Sequence, residues 1–213
     1  EIDGTLIHYV DEGKGMPIIL LHGTGSSLHT WDLWAERLKD KYRVIRITLP
    51  GFGLSGPRSD KKYKIKDYVN LLEDFVELNG IEKFYLAGNS LGGSIAWLYT
   101  SFYDKKVKKL ILVNSSGFEF DQIPFVIRLA RNNYLNFLIK KTSPKFLIKK
   151  SLKEVFYDDN LISKSIINRY YKLNLRKGNR QAFIDRALVN YIDNTARLKK
   201  INTPTLILWG QND

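Results

Sequence analysis

The chain has 213 residues, 44% of them hydrophobic, with 34 Lys and Arg against 22 Asp and Glu and a formal charge of +12. Such a chain buries one sizeable core and is not disordered, no apolar run approaches the length that crosses a bilayer, and the lack of cysteine removes disulfides, thiolate metal sites and cysteine nucleophiles. A basic surface suits anionic partners, although the abundance of Lys, Asn and Ile equally fits a bias of genome composition.

Residues 6–10 alternate as a strand, Asp11-Glu12-Gly13-Lys14-Gly15 reads as a turn, and 17–21 is a continuous apolar run ending at His22-Gly23-Thr24-Gly25. The two runs predict a hairpin whose second strand is buried. Trp31, Trp34, Ala35 and Leu38 mark one face of a helix, 43–49 is the next strand, and Pro50-Gly51-Phe52-Gly53-Leu54-Ser55-Gly56-Pro57 breaks structure. Ile65, Tyr68, Val69, Leu72, Phe75 and Val76 define a second amphipathic helix with Asn79-Gly80 as its stop. Residues 84–87 and 109–113 are further strands. Strands alternating with helices imply a parallel sheet covered on both faces.

Between those last two strands lies Gly88-Asn89-Ser90-Leu91-Gly92, followed by Leu91, Ile95, Leu98 and Phe102 at helical spacing. A strand, a tight turn and a helix put the central serine in a strained backbone conformation, and the flanking glycines let strand and helix pass without a Cβ clash. Ser90 would stand at the helix N-terminus, where the dipole favours developing negative charge.

From 117 to 203 the rhythm changes to successive helical patterns, which reads as a helical insertion. Residues 122–153 contain no acid but hold Arg128, Arg131, Lys140, Lys141, Lys145, Lys149, Lys150 and Lys153, interleaved with aromatic and aliphatic residues. A stretch of this kind is either a solvated face over a buried stripe or a surface for an anionic membrane. There is no phosphate-cradling loop, internal repeat or metal-ligand cluster, so neither metal, cofactor nor nucleic acid is expected. Residues 205–209 restore the strand pattern, ahead of Gly210-Gln211-Asn212-Asp213.

His22-Gly23-Thr24, Gly88 to Gly92, and Gly210 to Asp213 each follow a strand, the end of an open parallel sheet where sites are built. With Pro50-Gly51-Phe52-Gly53 and Pro204, these pieces resemble the α/β-hydrolase superfamily along essentially the whole chain. The resemblance implies an N-terminal part of the core over 1–116, a helical cap over 117–203 and the start of the C-terminal part over 204–213. It makes Ser90 the nucleophile, Asp213 the acid that orients a histidine, and the backbone amides of Thr24 and Leu91 the oxyanion hole, with Gly23 and Asn89 against a small-molecule substrate. The chain departs from common family patterns at Thr48, Asn114 and Tyr103-Asp104. Serine at the elbow argues against relatives that use an aspartate nucleophile, such as haloalkane dehalogenases and epoxide hydrolases.

The family order of Ser, acid, His places the base after Asp213, whereas His8, His22 and His29 all precede Ser90. His8 is expected within the first strand, away from the site, His22 as a support of the oxyanion turn, and His29 in the next loop. The chain is therefore expected to be cut at both ends: it lacks the triad histidine and an initiator Met, and leaves the strand at 205–209 with an unpaired edge. The expected activity is hydrolysis of a small or medium carboxylic ester through an acyl-enzyme. Carbon–carbon hydrolysis of the meta-cleavage-product type, hinted at by Asn89, and a non-catalytic ligand-binding role are the alternatives. The sequence leaves the compartment unknown, open between cytoplasmic and membrane-associated.

Overall fold

Strands β1 (Tyr9–Glu12), β2 (Pro17–Leu21), β3 (Arg43–Ile47), β4 (Phe84–Asn89), β5 (Val107–Val113) and β6 (Thr205–Leu208) form one sheet in the order β1-β3-β2-β4-β5-β6. The computed structural model describes residues 1–118 and 123–212. All neighbouring strands run parallel except β1, which is antiparallel to β3.

The hairpin expected between the first two strands does not form, because β3 lies between them. Ile18, Ile19, Leu20 and Leu21 are all buried, so β2 needs a neighbour on each side and both faces covered, and it takes β3 and β4. β1 alternates between exposed and half-buried positions and is suited to an edge. Asp11 and Glu12, expected in a turn, are the end of β1 instead. Arg43 pairs with Asp11 at 2.6 Å and Arg46 with Glu12 at 3.3 Å, so the acids are held against the neighbouring strand.

Side-chain alternation splits the strands between two apolar layers. Ile19, Leu21 and Leu86 pack with helices α2 (Ile65–Leu78) and α3 (Leu91–Phe102) on one face. Ile18, Leu20 and Ala87 pack on the other with Trp31 and with Ala35 of α1 (Asp32–Leu38). Helix α2 buries Tyr68, Val69, Leu72, Phe75 and Val76 on one stripe, starts where the Asp67 side chain accepts the Lys64 N–H at 2.8 Å, and stops at Gly80 with φ +62°. Helix α3 is buried nearly all round, as befits an element packed against β4, β5 and α2.

Between β5 and β6 run helices α4 (Phe125–Arg131), α5 (Asn136–Lys141), α6 (Lys145–Lys153), α7 (Lys164–Asn174) and α8 (Asn179–Ala187). Helices α4, α5, α6 and α8 gather around a core of their own, in which Leu129, Ile139, Leu147 and Ile184 meet, and α7 lies against α6 and α8. Among the described residues no helix is long and apolar enough to cross a membrane.

Candidate active site

Ser90 follows the last residue of β4 and caps α3 with φ +50° and ψ −116°, a conformation that a residue bearing a Cβ adopts only when its surroundings enforce it. The surroundings are backbone. A Cβ on Gly88 would run into the Gly92 carbonyl, and one on Gly92 into the Leu21 and His22 carbonyl oxygens. The Ser90 N–H donates to the Val113 oxygen at 3.2 Å, while its carbonyl accepts the N–H groups of Ser94 at 3.0 Å and Ser116 at 3.2 Å. The strain is thus held by β5 on one side and by the α3 turn on the other, and Ser90 itself remains half-exposed.

The turn after β2 closes on this elbow. A Cβ on Gly23 would stand 3.2 Å from the Ser90 Cβ and 3.0 Å from Asn89 Oδ1, so glycine gives the two segments their close approach. The turn is shaped by the Ser26 N–H, which donates to the Gly23 carbonyl at 3.3 Å. Among the described residues the Thr24 and Leu91 N–H groups have no hydrogen-bond acceptor, and Leu91 is the first residue of α3, where helical N–H groups are free and the dipole is positive. Asn89 donates from Nδ2 to the Val113 carbonyl at 3.2 Å.

None of the ring hydrogen bonds of the three histidines reaches Ser90. His22 is fully buried; its Nε2 accepts the Leu49 N–H at 2.9 Å, which leaves Nδ1 to donate to the Gly23 carbonyl at 2.7 Å. Burial pushes its pKa down to about 4, so the ring is a neutral strut. His8 differs from expectation. It precedes β1, and because β1 is antiparallel its start lies at the C-terminal end of β3, where Nδ1 is 3.1 Å from Thr48 Oγ1 and the N–H donates to Ser55 Oγ at 2.9 Å. His29, in a 3-10 turn over Leu28–Trp31, lies 3.1 Å from Ser27 Oγ through Nδ1. Burial lowers the pKa of both.

Asp213 lies outside the described residues. The loop leading to it is held beside the end of β5, where the Gly210 N–H donates to Asn114 Oδ1 at 3.0 Å. Among the described residues no group of three or more His, Asp and Glu is placed to hold a metal ion.

Two residues of the inserted helices also touch the turns around the elbow. Tyr170 on α7 shares a hydrogen bond of 2.9 Å with Ser26 Oγ, two residues past Thr24. Asn179, buried at the start of α8, donates from Nδ2 to the Gly53 carbonyl at 2.9 Å and to the Leu173 carbonyl at 2.7 Å. With Phe52 and Phe183 they line a cavity of about 30 Å³ beside the Gly25-Ser26 turn. Sequence reading passes over both, since Tyr170 and Asn179 meet partners 144 and 126 positions away and no local pattern marks them.

A sequence profile of the alpha/beta hydrolase fold matches residues 16–213. Epoxide hydrolase 4 of Mus musculus is 27% identical over 228 residues, which take in 99% of this chain and 64% of that protein. The 2-hydroxy-6-oxononadienedioate/2-hydroxy-6-oxononatrienedioate hydrolase of Paraburkholderia phymatum is 27% identical over 226 residues, covering 97% of this chain and 74% of its own. Lipase 3 of Moraxella sp. is 25% identical over 217 residues, covering 95% and 64%. The chain thus spans less than two thirds of the length of the first and third of these relatives. Of solved structures, epoxide hydrolase CorEH without ligand superposes with a TM-score of 0.86 at 23% identity, over 99% of this chain and 80% of that one. The meta-cleavage product hydrolase CumD from Pseudomonas fluorescens IP01 gives 0.78 at 25% identity, over 98% and 77%. A profile that runs from residue 16 to residue 213, over a parallel sheet with a strained serine at the end of β4, makes this chain a member of the alpha/beta hydrolase fold family.

Proposed function

We propose that the protein is a serine hydrolase that cleaves a small or medium carboxylic ester through an acyl-enzyme. The observation that carries this reading is the strained, half-exposed Ser90 at φ +50°, packed against Gly23, with the acceptor-free amides of Leu91 and Thr24 next in sequence to those two residues. Attack by Ser90 Oγ on a carbonyl carbon would throw negative charge onto the carbonyl oxygen, and two preorganised N–H groups at a helix N-terminus stabilise such an oxyanion. Asp213 would orient the imidazole that takes the Ser90 proton, and the inserted helices would roof the substrate.

The chemistry of the nucleophile separates the activities named among the relatives. A serine oxygen that opened an epoxide would end as an ether, which water does not cleave, whereas attack on an ester leaves an acyl group that water removes. Carbon–carbon hydrolysis would call on Asn89 to hold the substrate. With Nδ2 bonded to Val113 and Oδ1 facing Gly23, that side chain is better suited to keeping the turn.

The test uses the full-length protein. A fluorophosphonate should label Ser90, and Ser90→Ala should abolish labelling and reduce p-nitrophenyl ester turnover by at least about 10³-fold. Undiminished hydrolysis by the Ala variant would overturn the reading.

A further inference from the structure

The inserted helices carry a surface that ester hydrolysis does not use. Residues 123–153 hold eight Lys and Arg and no acid. Among the described residues only Lys153 of these eight has a carboxylate partner, Asp159. Helix α6 turns Leu147 and Leu152 inward, and leaves Phe146, Lys149, Lys150 and Lys153, spaced i, i+3, i+4 and i+7, exposed on the opposite side. The same spacing recurs in α5 and the turn before it, where Ile139 is buried while Tyr134, Phe137, Leu138 and Lys141 are exposed.

The exposed rings are large, with Tyr134 at 87%, Phe146 at 68% and Phe137 at 49%. A single exposed aromatic is ordinary, but three on one short stretch without an acid among them give that stretch a definite complement. At an anionic bilayer the rings gain by entering the boundary between headgroups and acyl chains, and the ammonium groups by meeting phosphate and carboxylate headgroups. Nucleic acid fits less well: from 132 to 153 every cation is Lys, which meets phosphate as a point charge, and no Arg offers the planar fork that reads bases. We infer that the exposed face of α5 and α6 docks the protein onto anionic phospholipid membranes. The inference stands on this face alone and is independent of the role of Ser90.

Co-sedimentation of the full-length protein with phosphatidylserine-containing vesicles, pure phosphatidylcholine vesicles and a DNA duplex, at low and high salt, tests it. Binding should be confined to the anionic vesicles at low salt and weaken as salt rises. Neutralising three exposed lysines together, Lys140→Gln, Lys141→Gln and Lys149→Gln, should lower vesicle partitioning about 100-fold, near fivefold for each charge. Phe137→Ser with Phe146→Ser should lower it by about 10-fold with every charge kept. All five positions are exposed, so the variants should melt like the parent, which a thermal scan checks. Equal binding to neutral and anionic vesicles, no binding to either, DNA binding as strong as vesicle binding, or wild-type partitioning of either variant would each overturn the proposal.

Discussion

The imidazole of His22 and the backbone of Leu49 are joined by a hydrogen bond of 2.9 Å, from the Leu49 N–H to Nε2, in a fully buried setting. It ties the turn after β2, which lies against Ser90, to the end of β3, and the Nδ1 bond to Gly23 fixes the ring tautomer. The ring next to Gly23, the residue that packs on Ser90, is therefore occupied at both nitrogens. Its contribution is to the shape of the turn.

Stability should fall in mild acid on account of this ring. With its pKa at 6.5 when exposed and about 4 when folded, His22 contributes fully above 6.5. As the pH drops from 6.5 towards 4 the unfolded chain takes up a proton that the folded one refuses, and roughly 3 kcal/mol is lost across that window, after which the loss levels off. His8 and His29 are shifted in the same direction and add to the slope. Urea unfolding from about pH 7 to about pH 4 measures it. His22→Ala should be less stable at neutral pH by about 2 kcal/mol or more, since the buried Leu49 N–H loses its acceptor, and should show a shallower pH slope.

What the sequence made legible was what neighbouring residues decide. The elbow is local: Gly88, Ser90 and Gly92 carry their own steric reasons, and the strand and helix around them announce themselves by period. Which strands lie side by side is not local. Asp11 and Glu12 look like turn residues until a pairing more than 30 positions long brings the Arg43 and Arg46 side chains within reach of them, and the same antiparallel strand carries His8 to the end of the sheet where its neighbours' loops lie. Tyr170 and Asn179 belong with these, as contacts made by tertiary packing alone.

Two glycines should respond very differently to a single methyl group. Gly92→Ala drives a Cβ into the Leu21 carbonyl, which is backbone in the middle of the fold and cannot step aside, so a loss of about 3 kcal/mol or more, or failure to fold, is expected. Gly80 has open space where its Cβ would go and only its φ of +62° to accommodate, so Gly80→Ala should cost about 1 kcal/mol. Thermal melts of the two variants side by side decide whether backbone approach or backbone conformation governs. Similar losses at both sites would contradict the close packing of α3 on β2.

Tyr170→Phe should weaken the proposed ester hydrolysis of the full-length protein more than its folding. The phenol oxygen bonds Ser26 at 2.9 Å, on the turn whose Thr24 amide is proposed to meet the oxyanion, yet the ring lies in a partly open setting. Loss of one such bond costs about 1 kcal/mol of stability at most, while a loosened turn should lower kcat several-fold and leave KM less affected. A variant with wild-type kcat would show that the turn is held by Gly23 and Ser26 without help from α7.

A polypeptide of residues 1–213 alone should fold with Ser90 on its elbow and still fail to turn over esters. In a triad of the proposed kind the serine hydroxyl is activated by an imidazole that accepts its proton within roughly 2.6 to 3.2 Å. His22 has both ring nitrogens committed to Leu49 and Gly23, His8 faces Thr48, and His29 faces Ser27. Moving any of them to Ser90 would break a bond that shapes the turns around the site. Without the base, the N–H groups of Leu91 and Thr24 would supply only the residual acceleration of an oxyanion hole. Ester hydrolysis by this polypeptide should therefore equal that of its Ser90→Ala variant within error, with circular dichroism showing both folded. Turnover by residues 1–213 at the rate of the full-length protein would mean that one of the three histidines reaches Ser90 after all, and single His→Gln variants would then identify which.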